Sequence, residues 1–463
     1  MSSNVKSTAI EDLSANVLDT RFENFDHATV DNAKNRIIDV VGCVIAGAKA
    51  SGNSALIDLV KGWGGKKEAT ILIYGGKVPV HNAAMVNSVM ARSFDFEALA
   101  PTIDGVSIPA HISGTTVMTA IALGEMCNSS GKELIAALLV GDDVAIRVLA
   151  TSGFWVGDGW DNTGTVNAFG ATAIAGRLLD LNRLQMRNAF GIVLNQLAGN
   201  FQNIWDGSTA FKLPQGMSAR NGIFSAQLAK AGWTGPEDTL LGRFGYFHLY
   251  TEGCSNPQLL TKDLGNKYYT ESWFKYYPCC GFCHPAIDCA LALVQKYDIK
   301  SQDIDEVILY APRAALDIFV GQPFRIGEFP HANAAFNYQY TVACALFRGS
   351  VKPEHFSKEA ICDPQLNNFL RKINLAELPG VPVPSVKLEV KMKDGRKLSE
   401  FKDTSKGYPL TNPMPKNEII AKYIGNVDYS STVSEDNAQK VLELMENMEK
   451  LDSVSKIVKL LVI

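Results

Sequence analysis

The chain has 463 residues, 46% of them apolar and 20% charged, and its 44 Lys+Arg against 48 Asp+Glu leave a formal net charge of −4. At roughly 100–200 residues per domain this is a globular composition for two or three domains, which excludes bulk disorder. The near balance of charge also excludes a global attraction for nucleic acid or an anionic membrane. The opening run MSSNVKSTAIEDLSANVLD lacks the basic start and apolar core of a signal peptide. The longest apolar runs fall short of the ~20 residues that span a bilayer. Nine cysteines without an export signal read as reduced thiols. The expectation is a cytoplasmic protein with neither nucleic-acid nor membrane partners.

From residue 8 to about 265 apolar residues recur at three and four, the helical period. Helices are expected over 30–48, 82–96 and 113–127, and another opens through the capping-like Ser130-x-x-Glu133. The small-residue stretch 163–181 suits a helix packed closely on others. Near residue 268 the texture changes. The run IDEVILYAP (304–312) carries β-branched residues and ends at Pro, as a strand does, and 385–403 alternates around Asp394-Gly395, a hairpin signature. Helices are expected between them over 285–297 and 337–347, so this part reads as α+β rather than alternating βαβ. After Pro413-Met-Pro415 the chain is helical again over 417–423 and 435–451.

With only seven His, each can be weighed. His111 follows the acidic stretch from Asp95-Phe-Glu97 to Pro109 and precedes a helix, which makes it a candidate acid/base or anion ligand. His27, His81, His248, His331 and His355 have no supporting neighbours. Cys280-Gly-Phe-Cys283-His284 matches a c-type haem attachment pattern, but that chemistry needs export. The same cluster lacks a second Cys/His pair for zinc, so a buried thiol group is expected, with Lys275 and His284 as anion binders. Lys212 lies in a loop before a helix expected to start near Ser218, where the helix end and Arg220 would add to its pull on an anion. No Walker or Rossmann glycine fingerprint and no Gly-x-Ser-x-Gly elbow occurs.

Several segments then fall into a common order: Ala83-Ala-Met-Val-Asn-Ser-Val-Met-Ala-Arg-Ser-Phe-Asp95-Phe-Glu97; His111-Ile-Ser; Gly-Trp-Asp161-Asn-Thr163; Lys212 to Gly216 and Ala-Arg220-Asn-Gly222; Tyr277-Pro-Cys-Cys-Gly to His284; and Gly407-Tyr-Pro-Leu-Thr-Asn-Pro-Met. In this order the chain resembles the MmgE/PrpD family along nearly its whole length. That family includes 2-methylcitrate dehydratase, cis-aconitate decarboxylase and iminodisuccinate epimerase. The resemblance implies a cofactor-free, metal-free homodimer acting on a small carboxylate. It implies a mainly helical domain over 1–267, completed by helices in 410–463, and a smaller α+β domain over 268–409, with the active site between them. It also implies catalytic roles for Asp95, His111, Lys212, Lys275 and Tyr340, and substrate contacts from Glu97 and His284.

Two departures stand out. Asp161 replaces a family His and Gln215 replaces another, at a catalytic and a substrate-binding position, and Arg220 is kept with the binding residues. An added carboxylate and two lost cations would suit a tricarboxylate poorly and favour fewer carboxylates, or an amine or hydroxyl that Asp161 can contact. Proton abstraction beside a carboxylate, followed by loss of a β-hydroxyl, makes a hydro-lyase the first expectation. Epimerisation, decarboxylation and a non-catalytic binding role stay open.

Overall fold

In the computed structural model the described residues are 7–99, 102–103, 106–107 and 110–462. Parts of the segment between Glu97 and His111, including Pro109, lie outside them. Long helices with Ala, Gly and Thr faces build the first half: His27–Gly47, Val80–Arg92, Ser113–Cys127, Gly131–Ala150, Val166–Leu178 and Leu213–Lys230. Their starts follow capping chemistry. Asp26 accepts from Thr29 N at 2.7 Å and Ser130 from Glu133 N at 3.2 Å. Small residues let the axes approach: a Cβ added at Gly141 would stand 2.8 Å from the Gly170 carbonyl oxygen.

Two of the boundaries that differ from expectation shape the site. The helix expected over 82–96 ends at Arg92, because Asp95 takes a left-handed backbone (φ 50°) that no helix continues through. The helix expected from Ser218 starts at Leu213, with Pro214 in its first turn, where a missing N–H and a fixed φ cost nothing. Lys212 is therefore the residue before that helix.

The second part is α+β, with a four-stranded sheet. Its central strand Ile304–Ala311 pairs antiparallel with Val386–Met392, which pairs in turn with Lys397–Lys402 across the Asp394-Gly395 turn. On its other side it pairs parallel with Ile373–Glu377, a strand that weak local patterning hid. Helices His284–Tyr297 and Tyr338–Arg348 pack on this sheet, against inward residues such as Val386, Leu388 and Val390.

After Pro415 the chain returns to the first half. Lys416–Ser430 lies along His27–Gly47, and Ile419, Tyr423 and Val427 join one apolar cluster with Ile37, Val41 and Met90. At Gly42 an added Cβ would come 3.3 Å from Tyr423 Cα, so the two helices cross closely there. Among the described residues, no helix is long and apolar enough to cross a membrane.

Candidate active site

Ending the helix at Arg92 and turning left-handed at Asp95 folds three charged side chains back on one another. Arg92 Nη1 bonds Asp95 Oδ1, lies 3.4 Å from Glu97 Oε1 and 3.2 Å from His111 Nδ1. The His111 ring stands between two carboxylates, Nδ1 being 3.0 Å from Glu97 Oε1 and Nε2 3.3 Å from Asp95 Oδ1. From the second part of the chain, Lys275 Nζ donates to Asp95 O and Oδ2, both at 2.6 Å, and to Cys279 O at 3.1 Å. All three of its protons are engaged. The side chains of Asp95, Glu97 and Lys275 are 0% exposed and Arg92 2%, whereas His111 is 15% exposed.

The electrostatics follow from this packing. Burial, then Arg92, push the His111 ring well below its usual range, so it is neutral at pH 7. Burial alone would raise the Asp95 carboxyl, but Arg92 and then Lys275 outweigh it and hold the group below the ordinary value. Asp161 goes the other way. Burial pushes its carboxyl up, against the pull of Arg92 and of Thr163, whose N–H it accepts at 2.8 Å. It stands within electrostatic reach of both Arg92 and Asp95.

Lys212 occupies a separate, uncharged niche. Its Nζ donates to Ser51 O at 2.7 Å and Asn53 Oδ1 at 2.8 Å and lies 5.8 Å from the centre of the Phe329 ring. With no anion beside it among the described residues, burial pulls it down to about 7. His331 stands within electrostatic reach of both Lys212 and Asp95.

The remaining expected residues are not gathered at this cluster. Gln215 is buried at a helix crossing, its Nε2 donating to Ser88 O at 3.1 Å, one turn before Arg92. His284 Nε2 faces the Tyr277 and Cys279 carbonyl oxygens at 3.1 and 3.3 Å, close behind Lys275, while its Nδ1 is buried without a partner. The Tyr340 hydroxyl donates to the His355 carbonyl, and its ring packs on Phe324 and Phe356 within the second core. Arg220 lies beside His81, at the far end of the helix that carries Arg92, about 16 Å along its axis. Among the described residues, no three His, Cys, Asp or Glu side chains group as metal ligands.

A cavity of about 330 Å³ opens between the two parts of the chain, lined by Trp205, Phe319, Arg325, Asn333 and Phe336 among others. Its wall residue Phe336 meets Phe211 at 5.3 Å, and Phe211 in turn carries the Arg92 guanidinium 5.6 Å above its ring. The charged cluster therefore lies behind two aromatic rings.

Sequence reasoning assigned no role to Arg92, although its spacing of three from Asp95 at the end of an apolar helix is a readable pairing signal. His331 was set aside for want of sequence neighbours. Asp39 and Lys422, which grip the segment around Glu97 (Lys422 Nζ to Phe96 O, 2.6 Å; Ala98 N to Asp39 Oδ2, 2.9 Å), carry no local signal at all.

Comparison with known proteins agrees with this architecture. The MmgE/PrpD N-terminal domain matches residues 11–258 and the MmgE/PrpD C-terminal domain residues 277–450. Cis-aconitate decarboxylase of Homo sapiens is 25% identical over 405 residues, covering 83% of this chain and 80% of its own length. The Mus musculus enzyme is 26% identical over 406 residues (83% and 79%). The Aspergillus terreus enzyme is 21% identical over 462 residues (93% and 91%). On two matched domains that together span most of its length, the chain belongs to the MmgE/PrpD family.

Proposed function

We propose that the protein is a cofactor-free lyase that removes a proton from the carbon beside a carboxylate of a small hydroxy-carboxylate, His111 taking the proton. The observation that carries this reading is that His111 is the most accessible member of an otherwise sealed charged cluster, 15% exposed against 0–2% for the others. A neutral imidazole can accept a proton, and the imidazolium so formed would lie between the carboxylates of Asp95 and Glu97, which stabilise it. The imidazolium then returns the proton to the departing β-hydroxyl, which leaves as water. Lys212, with two protons engaged and one left, meets the charge that develops on the substrate carboxylate. Lys275 acts indirectly by holding Asp95.

Decarboxylation is the second reading, favoured by the relatives named as cis-aconitate decarboxylases. Cis-aconitate carries three carboxylates. Here Lys275 is saturated by its own neighbours and Asp161 adds an anion, which favours a substrate with fewer. The test is incubation in D₂O with hydroxy-monocarboxylates, hydroxy- and amino-dicarboxylates and cis-aconitate. Alkene absorbance supports dehydration, CO₂ release supports decarboxylation, and deuterium entry at the α-carbon without net product supports epimerisation. Silence across the panel favours a binding role, and turnover of cis-aconitate at ordinary enzyme rates overturns the charge argument.

We further propose a cytoplasmic homodimer. Leu213 and Phe224, 42% and 43% exposed, share one face of their helix, and Trp233 just beyond it is 62% exposed. Such apolar exposure suits a second copy. Light scattering at a single chain mass would exclude the dimer.

A further inference from the structure

We propose that Asp39 and Lys422, a buried ion pair from two helices at opposite ends of the chain, form a clamp that aims Glu97 at His111 and so decides which ring nitrogen carries the proton. The proposal rests on the site as read above and adds positioning residues to it.

The clamp grips both sides of Glu97. Lys422 Nζ pairs with Asp39 Oδ1 at 2.7 Å, with side-chain exposures of 6% and 0%. The same ammonium donates to the Phe96 carbonyl at 2.6 Å and lies 3.8 Å from the centre of the Phe96 ring. Asp39 Oδ2 accepts the Ala98 N–H at 2.9 Å. The residue before Glu97 is thus tied to the lysine and the residue after it to the aspartate, while the two tie each other together. Ser113 Oγ donates to Ala98 O at 2.6 Å, and Leu99 exchanges backbone hydrogen bonds with Trp273 at 3.0 and 3.2 Å. With its flanks held, Glu97 directs Oε1 to 3.0 Å from His111 Nδ1.

A buried ion pair is poor evidence of stabilisation, because desolvation offsets the attraction. Its position is more informative. The pair touches the one segment that carries Glu97, and it brings the helix Lys416–Ser430 into the site although, among the described residues, no residue of that helix hydrogen-bonds or ion-pairs with Asp95, His111 or Glu97. The consequence concerns the tautomer. His111 can donate from Nδ1 to Glu97 at 3.0 Å, or it can accept there from the Arg92 Nη1 donor 3.2 Å away and donate from Nε2 to Asp95, whose Oδ1 is at 3.3 Å; the position of Glu97 therefore tips the choice. A carboxylate held firmly at Nδ1 keeps the proton there and leaves Nε2 as the basic nitrogen. Were Glu97 free to swing, the proton would move to Nε2.

The experiment uses full-length protein labelled with ¹⁵N-histidine; seven His are present, and His111→Gln assigns the signal. The parent is expected to show a protonated Nδ1. Lys422→Met and Asp39→Asn are expected to move the proton to Nε2, while Lys422→Arg restores the parent pattern. On any substrate found, kcat should fall about tenfold or more with KM nearly unchanged, as expected for a misplaced catalytic group. If Lys422→Met fails to fold, Asp39→Asn still tests the clamp, because its amide oxygen can keep the Ala98 N–H while the charge pairing is lost. A parent protonated at Nε2, or folded variants with the parent tautomer, overturns the proposal. The tautomer is read without substrate. An active His111→Gln would therefore remove the catalytic reading while leaving the clamp measurable.

Discussion

Arg92 and Lys212 are buried alike, each 2% exposed, yet their surroundings drive them in opposite directions. Burial disfavours both cations. Around Arg92 it is outweighed by Asp95, Glu97 and Asp161, which raise the guanidinium above its ordinary value. Around Lys212 the described residues offer only dipoles, the Ser51 carbonyl and the Asn53 amide, and the ammonium falls to about 7. Hydrogen bonds to neutral acceptors do not replace a counter-charge in a dry interior. The Arg92 cluster is therefore permanently ionic and preorganised, whereas Lys212 becomes a firm cation when an anion arrives beside it.

The sharpest way to break this comparison is at the base. His111→Gln should lower turnover by about 10²–10⁴-fold while thermal unfolding stays within a few degrees of the parent. Equal turnover would remove His111 from the reaction. Arg92→Met should come next, since it leaves three buried carboxylates without their guanidinium. A loss of about 3–5 kcal/mol is expected in urea unfolding, and a loss below ~1 kcal/mol would show that Lys275 alone balances the cluster.

Lys212→Met tests the conditional cation through pH. The folded value of about 7 lies below the ordinary 10.5, so between them the unfolded chain binds a proton that the folded chain lacks. Stability contributed by this site therefore rises with pH through that window. At about 1.4 kcal/mol per pH unit, the parent should gain about 2 kcal/mol relative to the variant between pH 7.5 and 9. Parallel curves would mean that Lys212 is not depressed.

The smallest effect is expected at Tyr340→Phe. Its hydroxyl donates to the His355 carbonyl and stands within reach of Cys344 and Arg348, not of the charged cluster, so a cost of about 1 kcal/mol with unchanged turnover should follow. A large fall in kcat would return Tyr340 to the catalytic set.

The helical first half, the strand at 304–311 and the Asp394-Gly395 hairpin were legible because each is written in local periodicity or turn chemistry. The parallel strand Ile373–Glu377 was not, because its pairing spans some 65 residues and its burial does not alternate. Within the site, Asp95, Glu97, His111 and Lys275 were legible as polar residues in ordered motifs, and the structure brings them into contact. Tyr340 and Arg220 were equally visible as residue types. Their helices turn them elsewhere, toward the second core and toward His81.

By itself the sequence determined the class of the fold, its change of texture near residue 268, the family resemblance and the residue types available for chemistry. These depend on short-range patterns. Tertiary structure alone decided that Arg92 neutralises the cluster, that Lys212 stands apart without a counter-ion, and that Lys422 reaches back across the chain to Asp39. Charge in a protein interior depends on distance and burial, and neither is encoded within a few residues of the groups concerned.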